Sequence, residues 1–174
     1  MAMINILQYP DPKLKRKGIK VKEVNDKIRK IIHDMFETHY NTENCAALAA
    51  TQLDIPDAQH ITVIDFSPEK NKPLCLINAK IIHREGEMYE SEGCMSVSGG
   101  TYEKVRRSAK IRVQALNKNG EIIEFDAEGF MAKCIQHELD HLDGLLFIDR
   151  LSSLKRKRID KKFEKLERWK RQKQ

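Results

Sequence analysis

Residues 129–144 read Gly-Phe-Met-Ala-Lys-Cys-Ile-Gln-His-Glu-Leu-Asp-His-Leu-Asp-Gly, and this stretch decides what the rest of the chain must be built around. Phe130, Cys134, His137 and His141 recur at steps of three and four, the period of one helical face, and Gly144 stands where such a helix would end. Within it, His137, Glu138, Leu139, Asp140 and His141 spell H-E-x-x-H. Two imidazoles four residues apart share a face and can reach one ion, while the glutamate between them can stand against a water that the ion activates. A catalytic tetrahedral site takes three protein ligands and keeps its fourth position open, so one more ligand is required. The best supplier is Cys94 in the run Ser91, Glu92, Gly93, Cys94, Met95, Ser96, where a glycine precedes the thiol and backbone donors surround it. A thiolate with two imidazoles is a soft set, suited to Fe(II), Zn(II) or Co(II) rather than to Mg or Ca. Taken singly, these residues also read as two surface histidines and a buried core thiol.

Working outward, Ile28, Ile31, Ile32, Met35, Phe36 and His39 after Asn25 and Asp26 give an amphipathic helix with an N-cap. Residues 41–54 read as a polar turn and a small-residue segment. Runs rich in β-branched residues follow at 60–66, 74–83, 111–116 and 122–125, and the last two are joined through Asn117, Lys118, Asn119 and Gly120, a hairpin signal. Beyond the central helix, Ile159, Phe163, Leu166 and Trp169 form an apolar stripe in a basic tail. The expected fold class is α+β: a compact single domain with short antiparallel strands around a central metal-binding helix, plus a C-terminal basic amphipathic helix.

With 174 residues and 40 % hydrophobic content the chain suits one core, expected over 1–150, with a helix or tail over 151–174. No run approaches the roughly 18 apolar residues of a membrane span, and the opening MAMINILQYPDPKLKRK lacks the apolar centre of a signal peptide, so a soluble, cytoplasmic protein is expected. Cys45, Cys75, Cys94 and Cys134 show no C-x-x-C spacing, so each is expected as a free thiol or a metal ligand. Residues 155–173 carry 11 Lys and Arg against 3 acids, a charge of +8; since the whole chain sums to +6, the rest is −2. Such a stripe reads either as a solvated helix face or as a footprint for polyanions.

Three segments in order resemble one family: Leu48 to Gln52 as LAATQ, Glu92 to Ser96 as EGCMS, and Gln136 to His141 as QHELDH are similar to the three motifs of peptide deformylases. The likeness extends to the opening around Ile6 to Pro12 and to residues 144–150. It implies removal of the N-formyl group from the formyl-methionine of nascent chains, with one divalent ion, Fe(II) first and Zn, Ni or Co tolerated. It implies Cys94, His137 and His141 as ligands, Glu138 as general acid and base, and the Gln52 side-chain amide with the Met95 backbone N–H as oxyanion donors. Ala46, Ala47, Leu48, Glu92, Gly93, Phe130 and Lys133 are implied as substrate contacts. Asp140 is expected in a buried polar contact with Arg106, structural or tuning in effect. The partners implied are formylated nascent peptides and, through the basic C-terminal helix, the ribosome; no membrane and no other nucleic acid is expected.

The chain departs from the family's pattern in three places. Its first motif, normally G-x-G-L-A-A-x-Q, has Cys45 and Ala47 for the glycines, which would strain the backbone at positive-φ positions. Lys133 lies one turn before His137, beside Phe130, where the family forms an apolar methionine pocket; it can snorkel out, point in, or recruit an acid. Ser98, Gly99, Gly100 and Thr101 replace a peptide-gripping stretch. These departures keep open a paralogue of weak or shifted acyl-peptide specificity, or a ribosome-associated binding module. A zinc endopeptidase, resting on H-E-x-x-H alone, lacks a third His or Glu shortly beyond His141.

Overall fold

A computed structural model describes residues 3–97 and 101–173. The first helix, α1 (Asp26–Tyr40), starts where Asn25 caps it, its side chain accepting from the Ile28 N–H at 3.1 Å. Its buried face is Ile28, Ile32, Met35 and His39, as the period requires. The small-residue segment that follows contains a short strand, β1 (Ala47–Ala49), and a 3-10 turn over Ala50–Gln52. Then come β2 (Ile61–Ile64), β3 (Leu74–Glu92), β4 (Glu103–Leu116) and β5 (Ile122–Glu128), all antiparallel and in chain order across one five-stranded sheet. The second helix, α2 (Gly129–Leu142), leads through a 3-10 turn at Phe147–Arg150 into α3 (Ser153–Gln172). The architecture is α+β, but the strands are not uniformly short: β3 has 19 residues and β4 has 14. Among the described residues no helix is long and apolar enough to cross a membrane.

β2 and the start of β3 are buried on both faces, and period-2 alternation sorts their side chains between the two helices. Ile61 and Val63 of β2 and Cys75 and Ile77 of β3 join α1, whereas Ile64, Leu76 and Ala79 join Ala132 and Ile135 of α2. α2 is therefore enclosed, with His137, Glu138, Asp140 and His141 all buried. Outside this core, β3 and β4 continue as a two-stranded ribbon, pairing Tyr89 with Arg106 and Glu92 with Glu103. The end of β3 thus delivers the segment carrying Cys94 back to α2.

α3 docks through Ile159 and Phe163, which pack with Leu14 and Phe147, and the Tyr9 ring meets Phe163 edge-on at 5.2 Å. Leu166 and Trp169, which share that stripe by spacing, are 38 % and 55 % exposed, so the apolar anchor ends after two turns.

The end of α2 depends on Gly144. Its φ is +80°, and a Cβ built there would lie 2.4 Å from the Lys15 carbonyl oxygen. Gly144→Ala meets a left-handed backbone cost of about 1 kcal/mol and an overpacking cost of about 1–3 kcal/mol. Urea unfolding of this variant is expected to show a loss of about 2–4 kcal/mol.

Candidate metal centre

His137 and His141 stand on successive turns of α2, with ring centroids 4.9 Å apart and their Nε2 atoms 3.2 Å apart. Cys94 Sγ lies 3.3 Å from His141 Nε2, and the three donor atoms fall within 4.8 Å of one another. His137 Nδ1 lies 2.8 Å from Glu92 Oε1; carrying its proton there, the ring turns Nε2 to the cluster. Two imidazole nitrogens that face each other across 3.2 Å need a proton or a cation between them. Burial opposes charge on His137, yet Cys94 and Glu92 overcome it and hold its pKa well above the ordinary value, while burial drives His141 well below. The donor set is thus arranged for positive charge at its centre, and one divalent ion fits it.

Glu138 is buried at the cavity wall, and its Oε2 has no hydrogen-bond partner among the described residues. Burial pushes its carboxyl up to about 7, with the nearby Glu92 charge adding to the rise. Gln52 is oriented by the turn that carries it: its Oε1 accepts from the Ala49 N–H at 2.9 Å, so Nε2 donates toward Ser96 Oγ at 3.1 Å and Cys94 Sγ at 3.5 Å. Thr51 ties the same turn to α2 by donating to the His141 carbonyl at 2.7 Å.

Beside the cluster opens a cavity of about 550 Å³, bounded by Ala46, Ala47, Gln52, Met95, Phe130 and Glu138 among others. Gly93 lies in its wall, so close to Tyr102 that a Cβ there would stand 2.5 Å from the ring. Leu48 is placed differently from its expected role. Alternation along β1 leaves Ala47 toward the cavity and buries Leu48 completely in the core under α1. Glu92 borders the cavity, but Arg107 and His137 take up both of its oxygens.

The expected Asp140–Arg106 contact is corrected by one residue. Strand alternation sends Arg106 outward, 3.7 Å from Glu87, and turns Arg107 inward. Arg107 forks onto Glu92 at 2.8 and 2.9 Å and reaches Asp140 Oδ2 at 2.5 Å; Arg150 holds both Asp140 oxygens at 2.6 and 2.7 Å. Though burial opposes it, the Arg107 and His137 bonds hold the Glu92 carboxyl down at about 2, and the two guanidiniums likewise hold Asp140 low.

The strain expected at Cys45 and Ala47 does not arise. The positive φ of this segment falls on Asn44, at 58°, and Ala47 is ordinary strand. Cys45 Sγ sits 3.2 Å from His39 Nδ1, whose other nitrogen meets the Asp65 carbonyl at 2.9 Å, so the thiol links the loop to α1. Burial pushes that thiol up to about 12. Of the third departure, Ser98, Gly99 and Gly100 lie outside the described residues, and Thr101 is buried in the cavity wall. Lys133 neither leaves the cavity nor stands alone: it is paired with Glu90 at 3.4 Å.

A family model described as polypeptide deformylase matches residues 3–157. The chain belongs to this family. It is 63 % identical to peptide deformylase 1 of Coxiella burnetii over 95 % of its own length and 98 % of that protein, and 51 % identical to the peptide deformylase of Pseudoalteromonas translucida over 95 % and 96 %. A crystal structure of a peptide deformylase from Legionella pneumophila superposes with a TM-score of 0.87 at 36 % identity, over 97 % of this chain and 98 % of that one. The Ehrlichia chaffeensis peptide deformylase in complex with actinonin also gives 0.87, at 35 % identity over 97 % and 99 %. This chain is a metal-dependent hydrolase, and its described residues bring Cys94, His137 and His141 into one Cys/His/His cluster.

Sequence reasoning missed Arg107, Arg150 and Tyr102. The inward side of β4 was the available signal for Arg107, since Val105 and Arg107 share a parity that Arg106 lacks.

Proposed function

We propose that this enzyme removes the formyl group from the N-terminal formyl-methionine of nascent polypeptides, using one divalent ion, Fe(II) by preference, held by Cys94, His137 and His141. The observation that carries this reading is the convergence of those three donors, two of which, Cys94 and His137, line the cavity that Glu138 and Gln52 share. When bound, the ion would supply Lewis acidity toward the formyl oxygen and lower the pKa of an attacking water. Glu138, poised at about 7, accepts the proton of that water and returns it to the departing amine nitrogen. The Gln52 amide, fixed by its bond from Ala49, and the Met95 N–H serve as donors to the developing oxyanion. Phe130 and the Lys133 stem bound the side-chain pocket, and Ala46, Ala47 and Gly93 lie along the peptide. The test is turnover of formyl-Met-Ala-Ser by anaerobically prepared, Fe(II)-loaded protein with metal analysis; a metal-loaded protein that leaves the formyl group in place would overturn the reading.

The working place of such an enzyme is the cytoplasm, at the nascent chain, and the charge of α3 supports docking there on ribosomal RNA. Lys157, Lys161, Lys165 and Arg168 are exposed, whereas Ile159 and Phe163 hold the helix in place. Reversing those four charges to Glu is expected to abolish salt-sensitive co-sedimentation with ribosomes while leaving peptide turnover within about twofold.

A further inference from the structure

The opening segment of the chain laces together two turns of the site that come from distant parts of the sequence. Leu7 donates its N–H to the Gln52 carbonyl at 2.7 Å, and Tyr9 donates its N–H to the Ser96 carbonyl at 2.7 Å. Between them, Gln8 Nε2 donates to the Met95 carbonyl at 2.8 Å. The first two bonds are made by backbone; only the third depends on a side chain. Tyr9 fixes the segment from behind, its hydroxyl donating to Asp160 and its ring meeting Phe163 of α3. Three consecutive residues thus tie the turn that carries Gln52 to the turn that carries Cys94.

Cys94–Val97 is a tight turn, closed by the Val97 N–H on the Cys94 carbonyl at 3.0 Å. Its central peptide unit joins Met95 to Ser96, and such a unit can face either of two ways, as type I and type II turns do. Here both of its ends are held. Gln8 grips the Met95 oxygen, and the Ser96 N–H donates to Cys94 Sγ at 3.4 Å. A donor on the oxygen polarises the unit and strengthens its N–H toward the sulfur. Hydrogen bonds to a ligand atom fix its direction and set its electron density, which is how groups behind a metal tune it. Resting on the metal-dependent deformylase reading above, we propose that Gln8 is a positioning residue: acting through the Met95–Ser96 peptide, it keeps a hydrogen bond on the Cys94 sulfur and holds Met95 in the cavity wall.

The test compares the wild type with Gln8→Ala, with Gln8→Glu, which keeps the size but turns an acceptor on the carbonyl, and with Gln8→Lys, which restores a donor on an unbranched chain. Gln8 is exposed, so none of these disturbs the core. On formyl-Met-Ala-Ser the Fe(II)-loaded alanine and glutamate variants should lose about three- to tenfold in kcat, the range of one net hydrogen bond, with KM within about twofold. Gln8→Lys should regain most of that loss. In Co(II)-substituted protein the thiolate-to-metal absorption band should move to lower energy in the same two variants and return in Gln8→Lys, because a sulfur relieved of an N–H gives up electron density more readily. An unmoved band or an unchanged kcat in Gln8→Ala and Gln8→Glu overturns the proposal, and so does a loss confined to KM, which would make Gln8 a substrate contact. A wild type that leaves the formyl group in place would strike the deformylase reading, and the Co(II) band alone would then decide the role of Gln8.

Discussion

Glu138→Gln is expected to lower kcat on a formyl-Met peptide by about 10²–10⁴-fold while the protein still takes up one metal ion per chain. The amide has the shape of the acid and fills the same enclosed space, so the cavity and the Cys94, His137 and His141 donors stay as they are. What it cannot do is exchange a proton. The wild-type carboxyl stands at about 7 because burial disfavours its charge, which matches it to both halves of the reaction at neutral pH. Steady-state kinetics beside metal analysis checks this. A variant that keeps a tenth of the activity would place the proton carrier elsewhere.

Arg107→Leu is expected to cost about 3–5 kcal/mol of stability, the penalty for leaving a buried charge without its partner. Arg107 and Glu92 side chains are each 3 % exposed. Asp140 keeps Arg150, but among the described residues Glu92 keeps only His137. The loss should depend on pH in a definite direction. In the wild type the Glu92 carboxyl is held at about 2, below its ordinary 4.5, so its pairing stabilises the fold above about 4.5 and is lost as the pH falls toward 2. Without Arg107 the larger part of that contribution is gone, so the gap between variant and wild type should be widest at neutral pH and narrow below about 4.5. Urea unfolding of the chelator-treated proteins at several pH values measures it. The double variant Arg107→Leu, Glu92→Leu should recover much of the loss, because removing both charges leaves no orphan.

The residues that were legible in the sequence are those whose environment is periodic. α2 and α1 expose their buried faces through three- and four-residue steps, and His137, Glu138 and His141 were fixed relative to each other once the helix was recognised. The β3–β4 ribbon was not legible over its outer half. The strands were expected to end at 83 and begin at 111, yet they pair as far as Glu92 and Glu103. Residues such as Arg84, Glu85, Glu87, Lys104 and Arg106 leave no hydrophobic alternation, because both faces of β3 there are largely exposed and the inward face of β4 carries the charged Arg107. It is held by its ladder and by contacts such as Arg106 over the Tyr89 ring at 5.1 Å. Cys94 could be chosen by spacing, but the path that brings it to α2 runs through this ribbon. Asp140's true partners needed register at single-residue precision, which β4's charged start conceals.

That ribbon gives the metal a second role. Cys94 lies 47 residues before His141, beyond a ribbon already tied to α2 through Glu92–His137 and Arg107–Asp140, so an ion bound there would add a reversible cross-link between two distant parts of the chain. The stability of the enzyme then follows the supply of its metal: free ion at a hundred times its dissociation constant adds about 2.7 kcal/mol, and starvation withdraws it. Oxidation of the one ligand thiol, Cys94, would act as starvation does at any metal concentration, removing that cross-link in the same event that stops the chemistry.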